Sequence, residues 1–316
     1  MFLQNMLLAA KQVAILYIIV AVGVFTDKIH LYTEKTAKAC TGLLFYVITP
    51  AVIVTSFLEI EYDPTRTKKL FIAIGCGLLM HLIASLLSIP CFNKGDKNKN
   101  SVFKYAAVHG NCGYMSLPLV NAMFGAEGVF YLSAAIITSF QICSFTYGVY
   151  LMSGDKNSGK GKTEFDFKKI ILNPGVLSVL VGLPLYLLRV PTPEIITKPL
   201  GFIAGMNTPL AMLMFGTYIA NTNFKTILSE KKILGVGFLK LIILPAIMLG
   251  VCKLMGLSGV LASTLILASS APSANNTVMF AAQYDKDTGL AAQTVAAVSF
   301  ASIVTMPAMT AIAMGI

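Results

Sequence analysis

Charge is what this sequence has least of. Of its 316 residues only 12% are Asp, Glu, Lys or Arg, about half the share carried by a soluble globular domain. Tryptophan is absent. None of the 14 Asp and Glu falls inside a long apolar run; Asp27, Glu59, Asp63, Glu127, Glu230 and Asp285 all stand in loops or near run ends. The six cysteines (Cys40, Cys76, Cys91, Cys112, Cys143, Cys252) stand singly in or beside apolar stretches without metal-ligand spacing. Buried free thiols and no metal site are therefore expected. No Ser/His/Asp set, HExxH pair or dinucleotide glycine pattern stands in a suitable context. The stretch Asn157-Ser158-Gly159-Lys160-Gly161 lacks the preceding strand that a phosphate loop requires. These gaps leave no enzyme signature, and no cofactor is expected.

What is present is apolar surface. The chain is 56% hydrophobic, with a mean hydropathy of +0.76. At roughly 20 apolar residues per crossing, ten spans are predicted: about 7–25, 37–58, 70–91, 103–123, 128–152, 171–189, 196–220, 232–254, 259–282 and 288–313. The expected class is an all-α integral membrane protein. Met1 to Lys11 lacks the basic flank and cleavage site of a signal peptide, so the first span is expected to stay in place. The polar stretch 153–169, with five lysines, reads as a linker between an N-terminal five-helix unit, 1–152, and a C-terminal one, 170–316.

The net charge of +10 forms no single patch and accompanies no nucleic-acid-binding motif, so no nucleic acid partner is expected. The basic residues sit in short clusters between apolar runs, as in cytoplasmic loops facing anionic lipid. With the N-terminus outside, 16 of the 24 Lys and Arg fall on the cytoplasmic side against 7 outside, Lys240 lying within a span. That bias places both termini outside the cytoplasm, in a multi-pass cell (inner) membrane protein.

An odd number of spans per unit makes the two units enter the membrane from opposite sides. They echo one another: Ile48-Thr49-Pro50 answers Asn207-Thr208-Pro209, and Lys68-Lys69-Leu70 answers Lys231-Lys232-Ile233. Spans four and nine each hold proline and asparagine, then Asn121-Ala122-Met123-Phe124 and Thr277-Val278-Met279-Phe280. An inverted five-plus-five repeat is expected, with broken, crossing fourth and ninth helices.

Those two helices carry the chemistry. Span four contains His109-Gly110-Asn111-Cys112-Gly113 and Pro118; span nine contains Ser269-Ser270-Ala271-Pro272-Ser273-Ala274-Asn275-Asn276. Breaks at Pro118 and Pro272 would leave half-helix ends at membrane depth, each N-terminal end presenting unpaired N–H groups and about half a positive charge. Such ends attract a carboxylate. Asn111, Asn121, Asn275 and Asn276 add amides, and Gly110 and Gly113 permit close approach. The competing reading is a pair of proline kinks whose asparagines bond neighbouring helices.

A core without carboxylates argues for an anionic or neutral substrate, because cation carriers commonly place acids there. Lys240, about 12 Å beyond Lys232 at 1.5 Å per residue, either snorkels to the interface or faces an anion. His81 is either a packing residue or a proton relay; His109, just before the break, could report on substrate or pH. Gln141 either bonds across helices or touches substrate.

Asn111-Cys112-Gly113-Tyr114-Met115-Ser116-Leu117-Pro118-Leu119 resembles the N-x-G-x-x-x-L-P-L signature of the auxin efflux carrier family. Asn173-Pro174-Gly175 and Thr208-Pro209 through Gly216 resemble that family too, and with the ten-span layout the likeness covers essentially the whole chain. The short linker looks like that of the bacterial malate or malonate permease-like members. The resemblance implies the fold of bile acid carriers and sodium/proton antiporters. Spans one, two, six and seven would form a scaffold, through which a homodimer could assemble. Spans three to five and eight to ten would form a transport domain moving like an elevator, with substrate beside the crossing of Pro118 and Pro272. Asn111 matches the characteristic asparagine, and Asn275 or Asn276 would be its partner. The carboxylate-free core departs from the bile acid carriers and speaks against sodium coupling.

The expected function is a secondary carrier of a small organic anion, a mono- or dicarboxylate, in the lipid bilayer. A ligand-sensing membrane module without transport and a sodium- or proton-coupled symporter are the rivals.

Overall fold

The computed structural model describes residues 2–133, 135, 138–153, 172–221 and 230–315, so most of the expected linker lies outside the described residues. Among these residues regular structure is helical throughout. Helix α1 is Phe2–Lys28, α2 Lys35–Leu58, α3 Pro64–Cys91, α4 Lys97–Val108, α5 112–132 and α6 138–153. After the linker come α7 Pro174–Leu187, α8 Glu194–Ala220 and α9 Lys231–Leu254. The chain ends with α10 Gly259–Ser269, α11 Asn276–Gln283 and α12 Thr288–Ala313. Five of these (α2, α3, α8, α9 and α12) are long and apolar enough to cross a membrane, and α7 and α10 are shorter apolar helices.

The helix starts follow from local chemistry. Asp63 accepts from the N–H groups of Thr65 and Arg66, with Pro64 in the first turn of α3. Asp96, Asn173 and Asp287 cap α4, α7 and α12 in the same manner. Each side chain satisfies N–H groups that have no intrahelical acceptor. Within α5, Gly125 takes φ 58° and ψ −152° and breaks the helical path; a side chain would oppose that left-handed turn. It falls between the expected spans four and five.

Three prolines within apolar helices are absorbed by one recurring device. Before Pro50, Pro118 and Pro245 the helix widens to a π turn, and Thr49, Leu117 and Leu244 each donate five residues back, to Leu44, Cys112 and Leu239. The wider turn re-routes backbone bonding around the donor that proline lacks. Pro118 is therefore inside a continuing helix, and the expected break there is corrected: the chain opens earlier, at 109–111.

Packing places α1 along the second half of α8, while α2 contacts α7 and the first half of α8. The α1–α8 contact needs two glycines. A Cβ at Gly23 would strike the Leu213 carbonyl, and one at Gly216 the Val20 carbonyl. This is close small-residue packing of the kind that joins helices in lipid. Elsewhere α4 packs on α3, α9 and α12, and α10 on α5, α9 and α12. Helix α3 buries Ala73, Met80, His81 and Ala84 while exposing Phe71, Leu78, Leu82 and Leu86. An apolar exposed face opposite a mixed buried one is suited to lipid rather than water.

Candidate functional site

The breaks at 109–111 and 270–275 meet. Gly110 and Ser273 form an isolated antiparallel bridge. Asn111 donates its backbone N–H to the Pro272 carbonyl at 2.6 Å, and Ala274 donates to the His109 carbonyl at 2.9 Å. Each gap thus supplies partners for the other's freed backbone, which would otherwise cost several kcal/mol per group in a bilayer. Gly110 makes the approach feasible, because a Cβ there would lie 3.0 Å from Lys240 Nζ and 3.2 Å from the Ala271 Cβ.

Beside this junction lies a cavity of about 60 Å³. At roughly 10–15 Å³ per water it has room for a few waters or a group of that size. Asn111, Gly113 and Tyr114 line it from the start of α5, and Asn275 and Asn276 from the start of α11. Phe140 and Gln141 come from α6, Phe45 and Thr49 from α2, and Gly175 from α7. No Asp, Glu, Lys, Arg or His is in the lining.

Amide donors at this cavity are only partly used. At α5, Tyr114 N–H is taken by Asn111 Oδ1 and Met115 N–H by the Asn111 carbonyl. At α11, Thr277 and Val278 donate to the Ala274 and Asn275 carbonyls. The N–H groups of Gly113, Asn275 and Asn276 have no acceptor among the described residues. Asn275 makes no capping bond with its side chain, and the buried Gln141 Oε1 has no partner either. Two helix N-termini and a set of side-chain amides therefore converge on one small space, an arrangement that favours a negatively charged group.

Of the residues singled out in the sequence, Asn111, Gly113, Gln141, Asn275 and Asn276 are brought together here. Pro272 sits in the junction, its carbonyl bonded to Asn111. Asn121 is exposed and outside the lining, which corrects its expected place beside the others. Phe45, Thr49, Tyr114, Phe140 and Gly175 were not among the expected site residues. Thr49 and Gly175 belonged to quoted motifs, and Asn207, from the echo of Thr49-Pro50, donates to Thr49 Oγ1 at 3.4 Å. Tyr114 stands at an unspecified position of the Asn111–Leu119 motif, and Phe45 and Phe140 had no sequence signal, since rings are common in apolar helices.

His81, His109 and Lys240 lie behind the cavity, outside its lining. His109 Nδ1 sits 3.1 Å from the Tyr105 carbonyl, and its ring stacks on Tyr105 at 4.1 Å and meets the Phe140 edge at 5.5 Å. His81 Nδ1 lies 2.8 Å from the Gly77 carbonyl, with the two imidazoles 6.2 Å apart. Carbonyl partners require Nδ1–H in both rings. Lys240 is 0% exposed and donates to the Val108 carbonyl at 3.4 Å. Snorkelling is thereby excluded for Lys240, and so is a place on the cavity wall.

The family model described as "Membrane transport protein" matches residues 8–310. An uncharacterized transporter of Methanocaldococcus jannaschii is 25% identical over 295 residues, covering 90% of this chain and 92% of that protein. An uncharacterized transporter of Methanothermobacter thermautotrophicus is 23% identical over 291 residues, covering 92% and 93% respectively.

Proposed function

Because the chain belongs to the membrane transport protein family, whose members are auxin efflux carrier-like, we propose that it is a secondary carrier of a small organic anion. The observation that carries this reading is the cavity where α5 and α11 begin, lined by side-chain amides and aromatic rings and without Asp, Glu, Lys, Arg or His. A carboxylate there would accept from the spare N–H groups of Gly113, Asn275 and Asn276 and from the side chains of Asn111, Asn275 and Asn276. Such donors are fixed before the ligand arrives, so little ordering cost is added on binding.

The packing supports alternating access of the elevator type. The cavity lining draws both on α2 and α7 and on α6 and the α4–α5 and α10–α11 junction. Helices α1, α2, α7 and α8 pack mainly on one another, consistent with a scaffold against which the remaining helices move. On this reading each broken pair, α4 with α5 and α10 with α11, forms one membrane crossing. The chain then makes ten crossings in two inverted units, with both termini outside the cytoplasm of the cell membrane.

Counterflow in proteoliposomes tests the proposal. Vesicles preloaded with a carboxylate should accumulate the labelled compound, and Asn111→Ala should abolish both accumulation and ligand-dependent thermal stabilisation. Binding without accumulation would identify a sensor instead. Flux that requires a sodium or proton gradient would identify a coupled symporter.

A further inference from the structure

We propose that Lys240 is the fixed counter-charge of the anion site, acting through Gly110 without touching the ligand; this rests on the anion-carrier reading above. Lys240 is fully buried within α9, and its ammonium is set against the end of another helix. Nζ donates to Val108, the last residue of α4, where carbonyls carry about half a negative charge. Nζ and Cε press on Gly110, within 3.0 and 3.2 Å of where its Cβ would be. Gly110 itself lines the cavity, so one residue without a side chain separates the ammonium from the ligand space.

No ion pair with an acid is formed by Lys240 among the described residues. The groups facing it are Val108 at the end of α4, the imidazole of His109 in the break that follows, His81 on α3, and the Cys112 thiol on α5. A buried cation is costly unless compensated. The α4 carbonyl end supplies part of that compensation permanently, and an anion in the cavity supplies the rest. In this low-dielectric setting a charge one residue away acts strongly and is screened little by salt. The lysine therefore does what a bound sodium ion would do for an anion substrate, which removes the need for a coupling cation at this site.

The signature is discrimination by charge at nearly constant shape. Purified protein is titrated in thermal-shift assays with acetate, propionate, malonate and indole-3-acetate, each beside its primary amide. For the pair that binds, wild type should prefer the acid by about tenfold or more, or roughly 1.4 kcal/mol. Lys240→Arg should keep that preference. Lys240→Gln, which retains a donor for Val108, should lower it several-fold, to the residual preference that the two helix N-termini supply, while still binding the amide. A Lys240→Gln protein that keeps the full preference overturns the assignment. If that variant does not fold, salt decides: the wild-type ratio should hold between 50 and 500 mM salt, and its collapse would assign selectivity to surface lysines. A wild type without acid preference would instead overturn the anion-carrier reading itself.

Discussion

The two breaks that meet at the junction are built differently. The first is three residues long, 109–111, and almost wholly buried. Its asparagine is committed to structure, with Asn111 Oδ1 capping Tyr114 and the backbone N–H bonded to Pro272. The second runs six residues, 270–275, and is held by serines: Ser270 Oγ donates to Leu267 and Ser273 Oγ to Ala106, across to α4. Asn275 within it and Asn276 at the start of α11 stay partly exposed, and Asn275 caps nothing. One break is a frame and the other offers unspent donors. Stability should therefore depend chiefly on the first, and ligand binding on both.

The largest expected effect tests the frame. Gly110→Val would drive two methyl groups toward Lys240 and Ala271, and overpacking of this kind costs about 1–3 kcal/mol. It should lower the melting temperature by several degrees and eliminate counterflow. Gly113, in contrast, has nothing within 4 Å of where its Cβ would be, yet lines the cavity. Gly113→Ala should fold as wild type and lose affinity for the larger ligands first, as read by ligand titration. Equal melting losses for the two glycines would erase the distinction between frame and cavity wall.

Next come the asparagines, which separate the breaks most directly. Asn111→Ala removes a cap and should cost about 1 kcal/mol of stability, in addition to abolishing the ligand-dependent shift. Asn275→Ala removes no cap and should change ligand-free stability by less than about 0.5 kcal/mol, with a similar loss of ligand response. Matching ligand-free melting curves for Asn111→Ala and wild type would show that the first break is no more committed than the second.

The same contrast explains what could be read from the chain. The apolar runs marked the helices α2, α3, α9 and α12 to within several residues, but α3 starts at Pro64, six residues before the expected 70, because Asp63 caps it. The meeting of Asn111 with Asn275 and Asn276 was legible because polar residues in two apolar runs must find partners. The point of opening was not. Proline was taken as the breaker in both runs, but a π turn accommodates Pro118, while His109, Gly110 and Asn111 leave the helix because Pro272 and Ala274 offer better backbone partners. That choice is a long-range one and leaves no local mark. Lys240 was legible as an anomaly, but its role depends on α4 ending beside it. Residues such as Phe45 and Phe140 reach the cavity only through packing.

The smallest expected effects fall on residues that the repeat had drawn into the site. Asn121 is exposed on α5 and does not line the cavity, so Asn121→Ala should leave both melting temperature and ligand titration within error of wild type. Pro118→Ala is the finer probe. Alanine restores a backbone donor, and the π turn that ends at Ser116 could then relax toward ordinary i to i−4 bonding. Relaxation would rotate Cys112 to Ser116 slightly relative to α5 and move Gly113 and Tyr114 within the cavity wall. Stability should change little, since helix propensity gained offsets the loss of a well-packed ring. Affinity should fall by a few-fold, far less than for Asn111→Ala. A Pro118→Ala protein that binds as tightly as wild type would show that the π turn only accommodates the proline. One that loses binding altogether would mean that the register of α5, rather than the meeting of the two breaks, sets the position of the amides.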